Sequence, residues 1–289
     1  MFKLSLALCC LSLLSIGACK SSNDSKTDSA NPASKPTGNE YLALGDSIAF
    51  GYSPLPPYTQ ESVDQGLFVG YPEVIAKNMG LTLTSAACPG ETTSSFIDPT
   101  KIDNGCRTAE PRFHKALKVN YQSSQLDFAL KFLKEHPGTR LVTINLGGND
   151  LLLLQTLCDK EANPLLCKLS QIPKATLTLA DNYIKIIRAI RDAGYKGDLV
   201  ATTQPPLDYK DPIQQVALIT IRNEIVVLAS LTGAKVADFF ETMRVATEPF
   251  NGLLCDGDFL IRMPDGTCDK HPSLKGAEIA AKTVMDLLK

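Results

Sequence analysis

Two residues of this 289-residue chain could act together as a nucleophile and its base, and they are Ser47 and His271. Ser47 follows the apolar run YLALG, so a buried strand would deliver its hydroxyl to the rim of a sheet. A serine hydroxyl at its own pKa is a poor nucleophile and needs a base beside it. His271 suits that task, because the reference pKa of imidazole is about 6.5. An ordinary turn at Gly45-Asp46-Ser47 is the alternative interpretation.

The other two histidines lie in sequence contexts typical of a solvated surface. His114 belongs to the charged stretch EPRFHKALK, and His136 belongs to EHPG at the predicted end of a helix. His271 is therefore the predicted base.

Alternating strand-like and helix-like segments surround these residues and would position them. Apolar runs predict strands over residues 41–46, 81–87, 140–150, 198–206 and 234–240. Apolar residues at helical spacing predict helices over residues 71–80, 125–138, 180–194 and 213–233, and a last helix with Pro272 in its first turn. Such alternation forms parallel β-α-β units, and apolar runs without alternation suit strands covered on both faces. The pattern predicts an α/β fold with one doubly wound, flavodoxin-like parallel sheet and helices on both faces.

Polar clusters follow two of the predicted strands, at Asp46-Ser47 and at Gly147-Gly148-Asn149-Asp150. In doubly wound sheets the ligand lies beyond the carboxyl ends of the strands, so both clusters should face one crevice. The sequence GGND alone is equally typical of a loop built from turn residues. Asp46 is expected to shape its turn by accepting backbone hydrogen bonds, and Asp150 to cap the helix that begins LLLLQT.

Four blocks of the chain, in this order, resemble those of the GDSL or SGNH family of serine ester hydrolases. ALGDSIAFGY contains Ser47, ACPGETTSSF contains Gly90, NLGGND contains Asn149, and DKHPSLKG contains His271. One Gly-Asp-Ser would be weak evidence, whereas four ordered blocks at predicted strand ends are specific. The resemblance implies an SGNH-hydrolase domain over residues 40–289 that cleaves carboxylic esters, as a lipase or esterase, through an acyl-enzyme on Ser47.

The resemblance also implies how the oxyanion of the tetrahedral intermediate would be bound. Its donors would be the backbone N–H groups of Ser47 and Gly90 and the side-chain amide of Asn149. Glycine is expected at position 90 because a Cβ there would keep the backbone away from the substrate. The four leucines at 151–154 would either line an acyl pocket or form the buried face of a helix, which is the commoner case. No metal or organic cofactor is implied.

The closing block departs from the family pattern at one position. The family usually has an aspartate three residues before the histidine, and here that position is Cys268. Asp269 lies only two residues before His271, but side chains two apart on an extended segment point the same way. Asp269 is therefore a catalytic candidate as the acid that orients the imidazole. The alternatives are a main-chain carbonyl in that role or a Ser47–His271 dyad.

The first 18 residues have the layout of a secretory signal, with Lys3 before an apolar run. As a helix this run would span only about 22 Å, too short to cross a bilayer core of about 30 Å. No later segment is expected to be a span. Ile16-Gly17-Ala18-Cys19 resembles a bacterial lipobox, so Cys19 is predicted to carry the lipid anchor. Residues 19–39 would then be the lipidated cysteine and a flexible polar tether.

Six further cysteines behind an export signal indicate disulfides rather than catalytic thiols. Proximity along the chain favours three local pairs: Cys88–Cys106, Cys158–Cys167 and Cys255–Cys268. A zinc site is the competing idea, but the chain has no C-x-x-C spacing. We therefore expect an exported protein of the bacterial cell envelope, lipid-anchored on the periplasmic or cell-surface side of a membrane.

Composition removes some classes of function and leaves others open. The net charge is −2 and there is no long basic run, so nucleic-acid binding has no electrostatic support. Tryptophan, which could stack on bases, is absent. An ester, either an acyl lipid or a small molecule, is the expected partner. A carbohydrate deacetylase is the main enzymatic alternative. Two more interpretations compete with the SGNH-type ester hydrolase. One is an α/β-hydrolase, suggested by Gly45-x-Ser47-x-Ala49, and the other is a lipoprotein that binds ligands without catalysis.

Overall fold

A computed structural model of the chain describes residues 35–106 and 116–289. The predicted signal, the lipidation site at Cys19, most of the predicted tether and His114 lie outside the described residues. Ser34–Lys289 form one compact unit.

The centre of the described chain is a sheet of five parallel strands in the order β2-β1-β3-β4-β5. The strands are β1 Glu40–Gly45, β2 Thr82–Ser85, β3 Leu141–Asn145, β4 Asp198–Thr202 and β5 Lys235–Ala237. This is the strand order of flavodoxin-like doubly wound folds. The predicted fold class is therefore confirmed.

Helices connect these strands and cover both faces of the sheet. Their bounds are α1 Ser47–Phe50, α2 Gln60–Asp64, α3 Tyr71–Met79, α4 Thr93–Ile97, α5 Gln125–Glu135, α6 Gly148–Cys158, α7 Pro164–Asp192, α8 Pro212–Thr232, α9 Phe239–Ala246 and α10 Leu274–Asp286. One core cluster joins the sheet to α5, α7 and α8, and a second joins its other face to α1, α3 and α10. The three central strands β1, β3 and β4 are mostly apolar because both of their faces are buried, whereas the edge strands β2 and β5 are only partly buried.

A two-stranded antiparallel hairpin precedes the last helix, formed by β6 Leu260–Arg262 and β7 Cys268–Pro272. The sequence analysis did not predict it, and it assigned Pro272 wrongly to the first turn of the last helix. Pro272 instead ends β7, and Ser273 caps α10 by accepting a hydrogen bond from the Gly276 N–H at 3.2 Å. The hairpin matters for the site because β7 contains both Asp269 and His271.

Helix α7 is 29 residues long, whereas the sequence predicted only its carboxyl-terminal half. Proline normally breaks a helix because it lacks an N–H and its ring clashes with the preceding turn. Pro173 nevertheless lies inside α7. We call residues 151–178 the helical arm; they comprise most of α6, the corner and the first half of α7. Of the arm residues, only Cys158 and Thr176 are buried.

Helix α8 contradicts the expectation that no later segment resembles a membrane span. Its window Gln214–Thr232 is long and apolar enough to cross a bilayer, with a mean hydropathy of 1.3. In the fold, however, α8 packs on the sheet through Ile221, Ile225 and Leu228 in the core. Core helices of water-soluble domains pass the same length and composition test.

Three disulfides staple the described chain: Cys88–Cys106, Cys158–Cys167 and Cys255–Cys268. These are the pairs that sequence proximity favours. Cys88, Cys106 and Glu91 lie close enough together to suggest a metal site, but the two sulfurs are bonded to each other. Disulfides persist in oxidising compartments, so their presence indicates an exported protein.

Candidate active site

The chain turns sharply from β1 into α1, and Ser47 is the first residue after that turn. Asp46 caps α1: its Oδ1 accepts a hydrogen bond from the Ile48 N–H at 2.9 Å. The Asp46 N–H donates to the Asn145 carbonyl of β3 at 3.1 Å. Asp46 is buried, whereas Ser47 is partly exposed. Asp46 therefore shapes the turn as predicted, and the turn presents the serine to solvent.

A buried glutamine that the sequence analysis missed holds this turn from behind. Gln125 Oε1 accepts from the Gly45 N–H at 2.6 Å, and its Nε2 donates to the Gly45 carbonyl at 3.0 Å. Gly45 has φ +134°, and a Cβ there would lie 2.1 Å from the Asn145 carbonyl oxygen. Gln125 reads in the sequence as an ordinary first-turn helix residue, so no local signal could have identified it.

The imidazole of His271 is held by the acid two residues earlier on β7. Its Nδ1 lies 2.5 Å from Asp269 Oδ1, which also accepts from the His271 backbone N–H at 3.0 Å. Cys268, at the usual family position of the acid, is bonded to Cys255. The His271 ring is 6% exposed and packs against the ring of Tyr52, with centroids 4.8 Å apart. Tyr52 is a second contact that sequence reasoning missed.

The side-chain amide of Asn149 is fixed by three hydrogen bonds at the start of α6. Its Nδ2 donates to the Glu91 carbonyl at 3.1 Å and to Asp46 Oδ2 at 3.4 Å. Its Oδ1 accepts from Asn104 Nδ2 at 2.9 Å. The amide is thus linked both to the residue before Ser47 and to the residue after Gly90.

The fold gives Gly90 a second reason to be glycine, beside the approach to substrate that the sequence suggested. It has φ +97°, and a Cβ there would lie 2.5 Å from the carbonyl oxygen of Asn104. Its own carbonyl accepts from the Asn104 N–H at 2.8 Å. The glycine therefore permits close packing of two loops, which the Cys88–Cys106 disulfide also joins.

A cavity of about 690 Å³ opens where these elements meet. Ser47, Asn149 and His271 all line it, and α1 contacts β7 directly. Gly90 and Asp269, both among the described residues, are not in its lining. The structure thus brings three of the predicted site residues to one cavity and leaves the other two immediately behind it.

The far wall of the cavity is apolar and comes from the helical arm, the loop after β4 and the start of α8. It includes Leu151, Leu152, Leu154, Leu165, Ile172, Pro205, Pro206, Leu207, Ala217 and Leu218. None of the four leucines at 151–154 is buried. All four are half-buried: Leu151 packs against the core, and Leu151, Leu152 and Leu154 line the cavity. This run is therefore a packed helix face that also forms part of the cavity wall.

The carboxyl groups of Asp46 and Asp150 are buried near the turn between β1 and α1. Burial, assisted by the nearby acids Asp150 and Glu91, raises the pKa of Asp46 to about 7. Burial likewise raises the pKa of Asp150 to about 6. The expectation that Asp150 caps its helix is wrong, because Gly147 occupies the cap position. Asp150 instead accepts hydrogen bonds from the Thr93 N–H and the Thr93 hydroxyl, which ties α6 to α4.

The sequence profile of the GDSL-like Lipase/Acylhydrolase family matches residues 43–279. The chain belongs to this family. The match spans most of the described domain and includes Ser47, Gly90, Asn149 and His271. No curated protein sequence matches the chain significantly.

Solved structures share the fold at low sequence identity. A phospholipase A1 from Streptomyces albidoflavus aligns with a TM-score of 0.56 at 18% identity, over 86% of this chain and 99% of its own. An extracellular lipase from Streptomyces rimosus gives a TM-score of 0.55 at 18% identity, over 87% of this chain and 100% of its own. A lipase from a goat rumen metagenome gives a TM-score of 0.54 at 18% identity, over 86% of this chain and 96% of its own. Family membership supports an enzyme that hydrolyses esters.

Proposed function

We propose that this family member is a serine ester hydrolase, a lipase or esterase that works through an acyl-enzyme on Ser47. The observation that carries the proposal is the shared cavity: Ser47, Asn149 and His271 line one apolar space. The contact of Asp269 with His271 Nδ1 adds support, because a carboxylate there fixes the tautomer that leaves Nε2 free as a base.

In the proposed first half-reaction, Ser47 Oγ attacks the ester carbonyl carbon while His271 takes the hydroxyl proton. The carbonyl oxygen becomes an oxyanion. The tetrahedral intermediate then collapses and breaks the bond to the alcohol oxygen, which leaves with the proton from His271. In the second half-reaction water attacks the acyl-enzyme, His271 again moves the proton, and the carboxylic acid leaves.

The oxyanion would be bound by the backbone N–H groups of Ser47 and Gly90 and by Asn149 Nδ2. The longer of the two Asn149 donations, at 3.4 Å to Asp46, is the one a substrate oxygen would replace. The fixed amide needs no reorganisation at the moment of reaction, which is the main advantage of a preorganised donor. Loss of one such donor typically lowers turnover by about 10²–10³-fold.

The cavity supports a long acyl chain as the substrate's acid part. Its wall is built from leucines, an isoleucine and prolines, and each buried methylene of a chain contributes about 0.8 kcal/mol of binding. An acetyl group would leave most of this wall uncovered. The carbohydrate deacetylase and the non-catalytic binding lipoprotein therefore rank below the lipase or esterase.

We also propose that export and anchoring follow the N-terminal sequence. Residues 1–18 would be the signal peptide, Cys19 would carry the lipid, and residues 40–289 would be the catalytic domain. Mass spectrometry of the mature chain tests this: an acylated N-terminal Cys19 is expected, and an unmodified N-terminus at another residue would contradict it.

Labelling with a fluorophosphonate probe tests the nucleophile. We expect the wild-type chain to be labelled and a Ser47→Ala variant with unchanged thermal unfolding not to be labelled. A folded wild type that does not react would instead support the non-catalytic binding lipoprotein.

A series of nitrophenyl esters from acetyl to palmitoyl tests the acyl preference. We expect kcat/KM to rise with chain length. Activity confined to acetyl esters would contradict the lipase assignment and favour the deacetylase.

A further inference from the structure

The first half of α7 has an apolar face that nothing in the described chain covers. Leu166, Leu169 and Leu177 are 62%, 55% and 66% exposed. With Pro173 they recur at the spacing of one helix face. Such a stripe normally faces a protein core.

This stripe is continuous with the wall of the cavity. Successive residues of a helix are about 100° apart around its axis, so six apolar side chains of the first half of α7 fall within one arc of about 140°. In order around the helix they are Ile172 and Leu165, which line the cavity, and then Leu169, Pro173, Leu166 and Leu177. Leu165 belongs to both surfaces, because it lines the cavity and is still 51% exposed. The polar member of the arc, Thr176, is buried and donates its hydroxyl to the Ile172 carbonyl at 2.8 Å.

The second half of the same helix shows what this face does when it has a partner. There Leu179, Tyr183 and Ile187 pack into the sheet core with at most 1% exposure. The first half is instead mostly exposed or half-buried, and its Leu165 and Ile172 line the cavity. The arm also has a net charge of about +1: Lys168 pairs with Asp159 at 2.7 Å, which leaves Lys160 and Lys174 against Glu161. This balance suits a surface of anionic or zwitterionic headgroups.

We propose that the helical arm docks on the surface of a phospholipid bilayer through Leu166, Leu169 and Leu177. The docked arm would let an ester chain pass from the bilayer along the arc to the cavity. A second copy of the chain would cover the stripe but leave the continuous cavity wall unexplained. The link to ester chains rests on the proposed function, whereas the docking itself does not.

The absence of tryptophan from the chain allows a direct test. In the mature chain with Cys19→Ser, which cannot be acylated, Leu166→Trp places a single indole on the stripe. Val245→Trp, on α9 and 50% exposed, is the matched control. On adding vesicles of phosphatidylcholine with phosphatidylglycerol, we expect a blue shift of emission for Leu166→Trp and none for Val245→Trp. No shift for Leu166→Trp, or equal shifts for both, would overturn the proposal.

Vesicle co-sedimentation gives a second readout with the same mature chain. Leu166→Gln combined with Leu177→Gln should weaken vesicle binding by about tenfold or more, because two leucines no longer enter the apolar boundary. Val245→Gln combined with Leu274→Gln, at 50% and 57% exposure, should leave it unchanged. Equal binding by both double variants would overturn the proposal, as would a stripe-dependent dimer in sedimentation velocity without vesicle binding.

Hydrolysis separates this proposal from the proposed function. The stripe variant should keep the wild-type rate on a soluble short-chain nitrophenyl ester and lose rate on a long-chain ester held in vesicles. If the wild type hydrolyses neither ester but binds vesicles through the stripe, the proposed function fails and the docking surface stands.

Discussion

The turn that presents Ser47 and the helical arm that walls the cavity are built in opposite ways. Tyr41 to Leu44 of β1 are 0% exposed, and Asp46 is 1% exposed. The arm contains many leucines, yet only Cys158 and Thr176 of its 28 positions are buried. The contrast shows that the turn before Ser47 is held by buried packing, whereas the arm beside the cavity is not. The arm's apolar side chains either line the cavity or remain exposed to solvent.

The largest expected effect concerns the packed half of the site. Asp269→Asn should lower kcat on a soluble ester by on the order of 10⁴-fold, because the amide favours the wrong imidazole tautomer. Leu166→Ala, on the arm, should leave that kcat unchanged. Steady-state kinetics with thermal unfolding as a folding check make the comparison. An Asp269→Asn rate near wild type would mean that Ser47 and His271 work as a dyad.

The buried acids behind the turn should make stability depend on pH. The pKa of Asp46 is raised from 3.8 to about 7, so between about pH 4 and 7 the folded chain keeps a proton that the unfolded chain has released. Stability is therefore highest below pH 4 for this group and falls as the pH rises to 7. At about 1.4 kcal/mol per pKa unit, the loss is on the order of 4 kcal/mol.

Urea unfolding of wild type and Asp46→Asn at pH 5 and pH 8 measures this effect. The wild type should be less stable at pH 8, and the variant should show a flatter profile. Asp150, whose pKa is raised to about 6, contributes in the same direction and remains in the variant. Identical profiles for both proteins would contradict the assignment to Asp46.

A matched pair of leucine truncations sharpens the comparison of packing. Leu44→Ala, at 0% exposure in β1, should lower the free energy of unfolding by about 2–5 kcal/mol. Leu166→Ala, at 62% exposure, should change it by no more than about 0.5 kcal/mol. Denaturant titration gives both values. A large loss at Leu166 would mean that the arm's outer face packs against the protein itself.

The smallest expected effects come from two disulfides with similar loop lengths. Cys255–Cys268 closes a separation of 13 residues next to His271, and Cys158–Cys167 closes one of 9 residues in the arm. In the chain-entropy model each contributes about 2–3 kcal/mol. Double Cys→Ser variants should nevertheless differ in activity.

Removing Cys255–Cys268 should lower turnover several-fold on every ester, because β7, which contains His271, is no longer covalently tied to Cys255. Removing Cys158–Cys167 should leave acetyl-ester turnover unchanged and reduce only the preference for long chains. The nitrophenyl ester series on both variants decides the matter. The opposite pattern would mean that the arm, and not the hairpin, positions the base.

The sequence predicted the sheet, and it also marked three candidate residues that the fold brings to one cavity, because these signals are local. Apolar runs marked the five strands, and short blocks marked Ser47, Asn149 and His271. The structure also supports the interpretation that extended backbone brings Asp269 beside His271. His136 lies exposed at the end of α5, as expected.

The failures concern features that depend on distant partners. The first half of α7, which contains Pro173, was not predicted as helix; its second half packs into the core. Gln125 reaches Gly45 across 80 positions, which no local pattern reveals. The packing of Gly90 against the facing Asn104 loop, and the partial exposure of the leucines at 151–154 beside the cavity, likewise depend on segments distant in the sequence.

The Cys255–Cys268 bond also sets an order of events for this molecule. Asp269 and His271 follow Cys268 on the strand that this bond closes. Such a bond forms only after a chain has reached an oxidising compartment. In a newly made copy still inside the cell, the strand with Asp269 and His271 would lack this covalent tie, so we expect the pair to become fixed only after export.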